Sequence, residues 1–336
     1  MEEQYPELRQ DIVSGDWILV APKRGKRPEE LAEQIEIKRS DPATCPFCAP
    51  QKFVEPILFY EKGDEWNVQI IANKYPAVSR NDGRAALMRQ GPYFIVPGYG
   101  YHDVVITKDH DTNFPKLSLA DACDLFKAFR ERYHMLAADD YISYVSIFHN
   151  WGPKAGASLY HPHYQIIAIP VIPPDVQHSL DGSQRYFKEN NECVHCLMLQ
   201  WEREYGKRII YENEYAIALA PFVSREPFEL RVFPKAHAAY FEDTSDEVLN
   251  GVVEVLHEAL QRLEQGLKQP HYNFFLHTSP IRHKERYHHY HWHIEMQPKL
   301  NISAGFELST GIEINTIDPD VAAAFLRSMN EGQLLN

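Results

Sequence analysis

The chain predicts an α+β fold built from one structural unit used twice, each copy an antiparallel sheet with a single long helix. Three observations carry this. Two C-x-x-C pairs, Cys45-Pro46-Phe47-Cys48 and Cys193-Val194-His195-Cys196, are each followed by a lone histidine after a hydrophobic strand, His110 and His237. Each lone histidine precedes a His-x-His pair, His161-Pro162-His163 and His291-Trp292-His293, at near-equal spacings of 51 and 54 residues (161 − 110 and 291 − 237). Between the lone histidine and the pair, each copy holds one long stretch of helical periodicity among β-rich runs, the order of an α+β unit. Self-similarity on this scale marks a duplicated unit.

Taken in order, Trp17 to Val20 reads as a strand in an entry segment that ends in the basic run Lys23 to Pro28. The first repeat then predicts strands at Val104 to Ile106, Tyr144 to Phe148 and Gln165 to Ile169. Ser118 followed by Asp121 resembles a capping box. Leu119, Ala122, Cys123, Phe126, Phe129 and Tyr133 follow at helical spacing, which makes Cys123 a core residue. Residues 171–190, rich in proline and polar side chains, read as a linker. In the second repeat Tyr215 to Leu219, Phe228 to Phe233, Tyr272 to Leu276 and His291 to Gln297 predict strands. A helix from about Asp246 to Lys268 carries Leu249, Val252, Val253, Leu256, Leu260, Leu263 and Leu267 on one side. The expected division is 1–172 for the first half and 173–336 for the second.

Composition narrows the function. A chain of 336 residues with 44% hydrophobic residues can bury a substantial core. Its formal net charge of −13 disfavours nucleic acid as a partner. No run approaches the length of a membrane helix, and the N-terminus lacks a secretory leader pattern. Four of the five cysteines lie in the two C-x-x-C pairs, which suits reduced thiols in a cytoplasm better than a disulfide framework.

C-x-x-C places two thiolates on one tight turn, and imidazoles from elsewhere can complete a tetrahedral shell. The pattern assigns Cys45, Cys48, His110 and His161 to one Zn2+, and Cys193, Cys196, His237 and His291 to a second. For the second set, His195, His283, His288, His289 and His293 are rival ligands. A shell of two thiolates and two imidazoles leaves zinc no open position, so both sites would be structural and the chemistry would lie beside them.

Alternate residues of a strand share a face, which points His161, His163 and Gln165 the same way. A zinc-bound His161 would hold His163 in place, and a neutral imidazole can attack phosphorus to form a phosphoramidate. Upstream, Asn150-Trp151-Gly152-Pro153-Lys154-Ala155-Gly156-Ala157-Ser158 is a small-residue loop in which Ser158, Lys154 and backbone N–H groups could hold phosphate oxygens. A non-catalytic zinc module, its histidines serving folding or partner binding, is the alternative that these patterns leave open.

These residues resemble the galactose-1-phosphate uridylyltransferase family, a branch of the histidine-triad superfamily built from two fused triad units. The resemblance rests on Pro6 to Arg9, Asp16 to Val20, Arg24 to Pro28 and Cys45 to Cys48. It extends through Asn73 to Ala77, the Asn150 to Ser158 loop, His161 to Gln165 and Gly305 to Glu307. It implies a duplicated histidine-triad-like fold and a ping-pong transfer of UMP between UDP-glucose and a hexose 1-phosphate. His163 would be the nucleophile and Gln165 would hydrogen-bond a phosphoryl oxygen. Ser158 and Asn150 would line the phosphate loop, Arg27 and Asn73 would contact the nucleotide, and Glu307 would contact the sugar. The partners would be a nucleotide sugar and a hexose 1-phosphate, with active sites at the interface of a homodimer. Lys74 stands where the best-known members carry an acidic residue, and Phe306 where they carry Tyr. A related branch, resembling ADP-glucose phosphorylase, shares the two C-x-x-C pairs and uses inorganic phosphate as acceptor.

Overall fold

A computed structural model describes residues 5–24, 37–52, 54–80 and 86–329. A small sheet at the entry joins β1 (Glu7–Gln10) to β2 (Trp17–Val20), where the strand was expected, and later receives β15 (Ile314–Asn315). The first half contributes β3 (Leu58–Lys62), β4 (Glu65–Ala72), β7 (Tyr101–Thr107), β8 (Tyr144–Trp151) and β9 (His163–Ile169). A separate hairpin, β5 (Met88–Gln90) and β6 (Tyr93–Ile95), stands off this sheet. The second half contributes β10 (Ile209–Glu212), β11 (Ala216–Leu219), β12 (Leu230–Pro234), β13 (Tyr272–His277) and β14 (His293–Pro298).

These ten strands form one antiparallel sheet in the order β10-β11-β12-β14-β13-β8-β9-β7-β4-β3. The order reads as five strands and their mirror, with β13 pairing β8 where the halves meet. The repeat seen in the sequence is therefore a pseudo-twofold in one continuous sheet, and the centre of that sheet is shared.

One face is covered by α1 (Leu119–Ala137) and α4 (Asp246–Leu267), the two long helices expected from periodicity. Each starts on a serine whose hydroxyl accepts a backbone N–H of the first turn, Ser118 from Asp121 and Ser245 from Val248. Their apolar stripes, including Phe126, Phe129, Leu249, Leu256 and Leu260, bury against Tyr164, Ile166, Phe274 and Ile294 of the sheet. Cys123 belongs to this core, as its position on the helix predicts. Because Tyr164 and Ile166 face the helices, alternation turns His163 and Gln165 to the other face.

The expected linker at 171–190 is instead a helix, α2 (Pro174–Asn190). Pro174 sits at the first helical position, where its missing N–H costs nothing, and the helix ends on Asn191 in the left-handed region at φ +54. Val176, Leu180, Gly182 and Ser183 are buried. A Cβ on Gly182 would fall 1.6 Å from the Val13 carbonyl oxygen, so glycine is what admits that close approach. A sparse apolar stripe among polar residues hid the helix from a periodicity reading. It is followed by α3 (Val194–Tyr205), and two further helices, α5 (Gly305–Thr310) and α6 (Pro319–Ser328), lie near the end of the chain. Among the described residues no helix is long and apolar enough to cross a membrane.

Candidate functional site

The two C-x-x-C pairs reach their histidines by matched geometry. Cys45 follows a short 3-10 turn capped by Asp41, while Cys193 caps the N-terminus of α3. His110 and His237 each lie three residues beyond the end of a strand, β7 and β12 (110 − 107 and 237 − 234). In the first set Cys48 Sγ is 3.2 Å from His110 Nδ1 and 3.6 Å from His161 Nδ1, and Cys45 Sγ is 3.6 Å from His161 Nδ1. In the second, Cys196 Sγ is 3.4 Å from His237 Nδ1 and 3.6 Å from His291 Nδ1. Each cluster brings its four ligand atoms within 4.8 Å of one another.

The donor chemistry fits a tetrahedral cation. Each of the four imidazoles lies within hydrogen-bond distance of a backbone carbonyl through Nε2: His110 to Ser40, His161 to Thr107, His237 to His288 and His291 to Pro234, at 2.7 to 3.0 Å. A carbonyl can only accept, so Nε2 carries the proton and Nδ1 turns a lone pair toward the thiols. Burial, and then the neighbouring Cys45, pushes the Cys48 thiol up to about 11. A divalent cation is what lets such a pair ionise together. The rivals His195, His283, His288, His289 and His293 lie outside these two four-residue groups.

Beside the first cluster, His163 is buried and donates Nδ1–H to the His161 carbonyl at 2.9 Å. That bond fixes the tautomer and leaves Nε2 with its lone pair. Burial holds His163 below the ordinary imidazole value, against the pull of the same bond. Phe47, inside the first C-x-x-C, packs its ring 5.1 Å from the His163 ring. On the helix face, buried His149 donates Nδ1–H to the His163 carbonyl at 2.8 Å and stacks on Tyr164.

Along β8 and β9, Phe148 pairs with Gln165 and, one step further, His149 with Tyr164. Asn150 pairs with Asn273 of β13. Asn273 Nδ2 donates to Asn150 Oδ1 at 2.7 Å and to the Ala155 carbonyl at 2.8 Å. His271 Nδ1 accepts the Lys154 N–H at 2.9 Å. Gly152, at φ +82, admits the His271 ring where a Cβ would come within 2.7 Å. The loop expected to hold phosphate is thus braced by two residues of the second half, and Ser158 lies exposed near its end.

Gln165 Oε1 lies 2.8 Å from His102 Nε2, and Asn73 Nδ2 lies 3.0 Å from the same nitrogen. The structure thereby brings together Gln165 and Asn73, two residues expected in the site. Arg27 lies outside the described residues. Glu307, on α5, accepts the Ala304 N–H and lines a cavity of about 180 Å³ with Arg24, Arg225 and Glu226. Among the described contacts none joins it to His163. His102, Asn273, His271 and His149 were not singled out in the sequence. Alternation along β7 put His102 on the face of Val104 and Ile106, which is the one local signal; Asn273 and His271 depend on strand pairing across the halves, and His149 on the pairing of β8 with β9 within the first.

The second His-x-His pair repeats the backbone device, His293 Nδ1 donating to the His291 carbonyl at 3.1 Å. Its surroundings differ. Glu295 occupies the position of Gln165, with Oε1 3.5 Å from His293 Nε2 and Oε2 3.6 Å from His277 Nε2. Although burial opposes it, the Arg231 guanidinium, 3.1 Å away, holds Glu295 well below the usual carboxylate range. A fixed carboxylate beside the ring repels a phosphoryl group, whereas a carboxamide can donate to one.

The profile of a family described as a domain of unknown function, DUF4921, matches residues 58–333. An ADP-glucose phosphorylase of Arabidopsis thaliana is 33% identical over 98% of this chain and 95% of its own. A galactose-1-phosphate uridylyltransferase of Thermotoga maritima is 28% identical over 96% of this chain and 98% of its own. Among solved structures, an Arabidopsis thaliana ADP-glucose phosphorylase with bound ADP-glucose superposes with a TM-score of 0.83 at 32% identity, covering 96% of this chain and 98% of that one. The chain belongs to the galactose-1-phosphate uridylyltransferase family, whose relatives carry both of these names.

Proposed function

We propose that the chain is a nucleotidyltransferase moving UMP between UDP-glucose and a hexose 1-phosphate through a covalent intermediate on His163. The observation that carries the reading is the His163 ring, its Nδ1–H given to the His161 carbonyl and its Nε2 left as a lone pair. Nε2 attacks the α-phosphorus of the nucleotide sugar. A P–N bond forms as the P–O bond to the hexose 1-phosphate breaks, and that group leaves with the electron pair. An oxygen of the second sugar phosphate then attacks phosphorus and the P–N bond breaks, returning the imidazole.

Gln165 donates its amide N–H to a phosphoryl oxygen as charge develops there. The loop from Asn150 to Ser158 lines the phosphates, Asn73 and Arg27 contact the nucleotide, and Glu307 contacts the sugar. The resemblance implies a homodimer with active sites at its interface, in which Glu307 would serve the neighbouring site. Zinc, held by Cys45, Cys48, His110 and His161 and by Cys193, Cys196, His237 and His291, would supply a closed structural shell.

A second reading has a specific observation behind it: the 33% identical relative is named ADP-glucose phosphorylase. The same residues would then transfer AMP from ADP-glucose, with inorganic phosphate as acceptor. Incubation with UDP-glucose or ADP-glucose, each with hexose 1-phosphate or phosphate, separates the two by products. New UDP-hexose supports the first reading; ADP with glucose 1-phosphate replaces it with the second; no turnover of any pair removes both.

A further inference from the structure

We infer that His102 is a positioning residue for the transfer, orienting the Gln165 carboxamide and tying it to the turn that carries Asn73. The inference rests on the functional reading above and goes beyond it by giving a role to a ring that neither motif nor resemblance singles out.

The chemistry of the ring's partners fixes its state. The Ala77 backbone N–H lies 3.0 Å from His102 Nδ1 and can only donate, so Nδ1 is an acceptor. Nε2 therefore carries the proton and gives it to Gln165 Oε1 at 2.8 Å. Asn73 Nδ2, 3.0 Å from that nitrogen, is itself a donor and makes no hydrogen bond with Nε2–H; the Asn73 Oδ1 accepts the Tyr75 N–H at 2.8 Å, so the tie to the turn runs through the Ala77 and Asn73 backbone. The Asn73 N–H donates to the His102 carbonyl at 2.9 Å, so backbone and ring are both held by the 73–77 turn. With Oε1 occupied, the Gln165 NH2 group must point away from His102. It is thereby kept as a donor for a phosphoryl oxygen, and the amide flip that would present Oε1 to an anion is blocked.

The pseudo-twofold supplies an internal comparison. Thr107 and Pro234 end equivalent strands and accept from equivalent histidines, His161 and His291. Counting back five residues from each gives His102 and Glu229; counting back three gives Val104 and Arg231. In the second half, Arg231 bridges Glu229 at 3.2 Å and Glu295 at 3.1 Å, an ionic lock on an acidic side chain. In the first half the lock is replaced by an aliphatic Val104 and a neutral histidine that reaches a neutral glutamine. One half is wired to hold a carboxylate still, the other to aim a carboxamide.

The test is the rate of His163 nucleotidylation in the parent, His102→Ala, Gln165→Ala and the double variant, with UDP-glucose and with ADP-glucose. His102→Ala should slow that step by about 10- to 100-fold with little change in donor KM, the loss expected when a contacting group is misplaced. The double variant should fall within about threefold of Gln165→Ala alone, because both act through one amide. Independent, multiplying losses, or an unchanged rate for His102→Ala, overturn the inference. If the parent forms no nucleotidyl-histidine with either donor, the functional reading fails, and the orientation is decided by 15N NMR of histidine-labelled protein. The His102 resonances, assigned by their loss in His102→Ala, should show an Nε2–H tautomer that shifts in Gln165→Ala. An Nδ1–H tautomer, or no response to Gln165→Ala, overturns it.

Discussion

At the scale of single residues, the two His-x-His pairs differ less in the histidine than in the residue two positions on. His163 and His293 make the same bond to the preceding histidine's carbonyl, yet one is followed by Gln165 and the other by Glu295. Gln165→Glu should therefore slow nucleotidyl transfer by about 10²- to 10³-fold, since it trades a donor for a negative charge at the phosphoryl group. Its thermal midpoint should stay near the parent's; a variant with parental rates would show that Gln165 does not touch the reacting phosphate. His149 gives a second residue-scale expectation. Burial drives its imidazole down to about 3 from an ordinary 6.5, so the unfolded chain binds a proton that the folded chain refuses. That contribution is intact above about pH 6.5 and is lost as the pH falls toward 3, at about 1.4 kcal/mol per pH unit. Urea unfolding between about pH 6 and about pH 4 should show a shallower dependence in His149→Gln than in the parent. Equal slopes would mean that the ring is not held neutral.

At the scale of elements, periodicity made the two long helices legible because their stripes are wide, and Ser118 marked the start of the first. The two cysteine–histidine clusters were legible too, since C-x-x-C and His-x-His are local patterns whose spacing survives in one dimension. The helix at Pro174–Asn190 was not, because its buried face is narrow and one of its contacts is a glycine against a carbonyl. Gly182→Ala should destabilise the protein by about 1–3 kcal/mol, the range for forcing atoms into a packed site, with calorimetry as the measurement. A neutral effect would mean that β1, β2 and α2 do not meet as closely as the Val13 carbonyl indicates. The segments that carry the cysteine–histidine clusters lead to a separate expectation. Cys45→Ser or Cys193→Ser should lower the zinc content by close to one ion per chain and lower the unfolding midpoint, because such closed sites contribute folding energy. Full stability with lost activity would instead place the metal in the chemistry.

At the scale of the whole molecule, the sequence announced two copies, but not that they would meet edge to edge in one sheet. That fusion depends on β8 pairing β13, a contact between residues more than a hundred positions apart that no local pattern encodes. Its consequence is functional. Asn273 and His271 of the second half hold the 150–158 loop of the first, so the copy with Glu295 still shapes the copy with Gln165. On the proposed reading the duplicated unit divides its labour, one half aiming at phosphorus and the other acting as its frame. The most direct measurement is intact-mass analysis after mixing the protein with UDP-glucose or ADP-glucose, followed by peptide mapping. A single nucleotidyl increment located on His163, absent in His163→Ala and removed by hexose 1-phosphate or phosphate, is the expected result. An increment on another residue, or one that persists in His163→Ala, would contradict it.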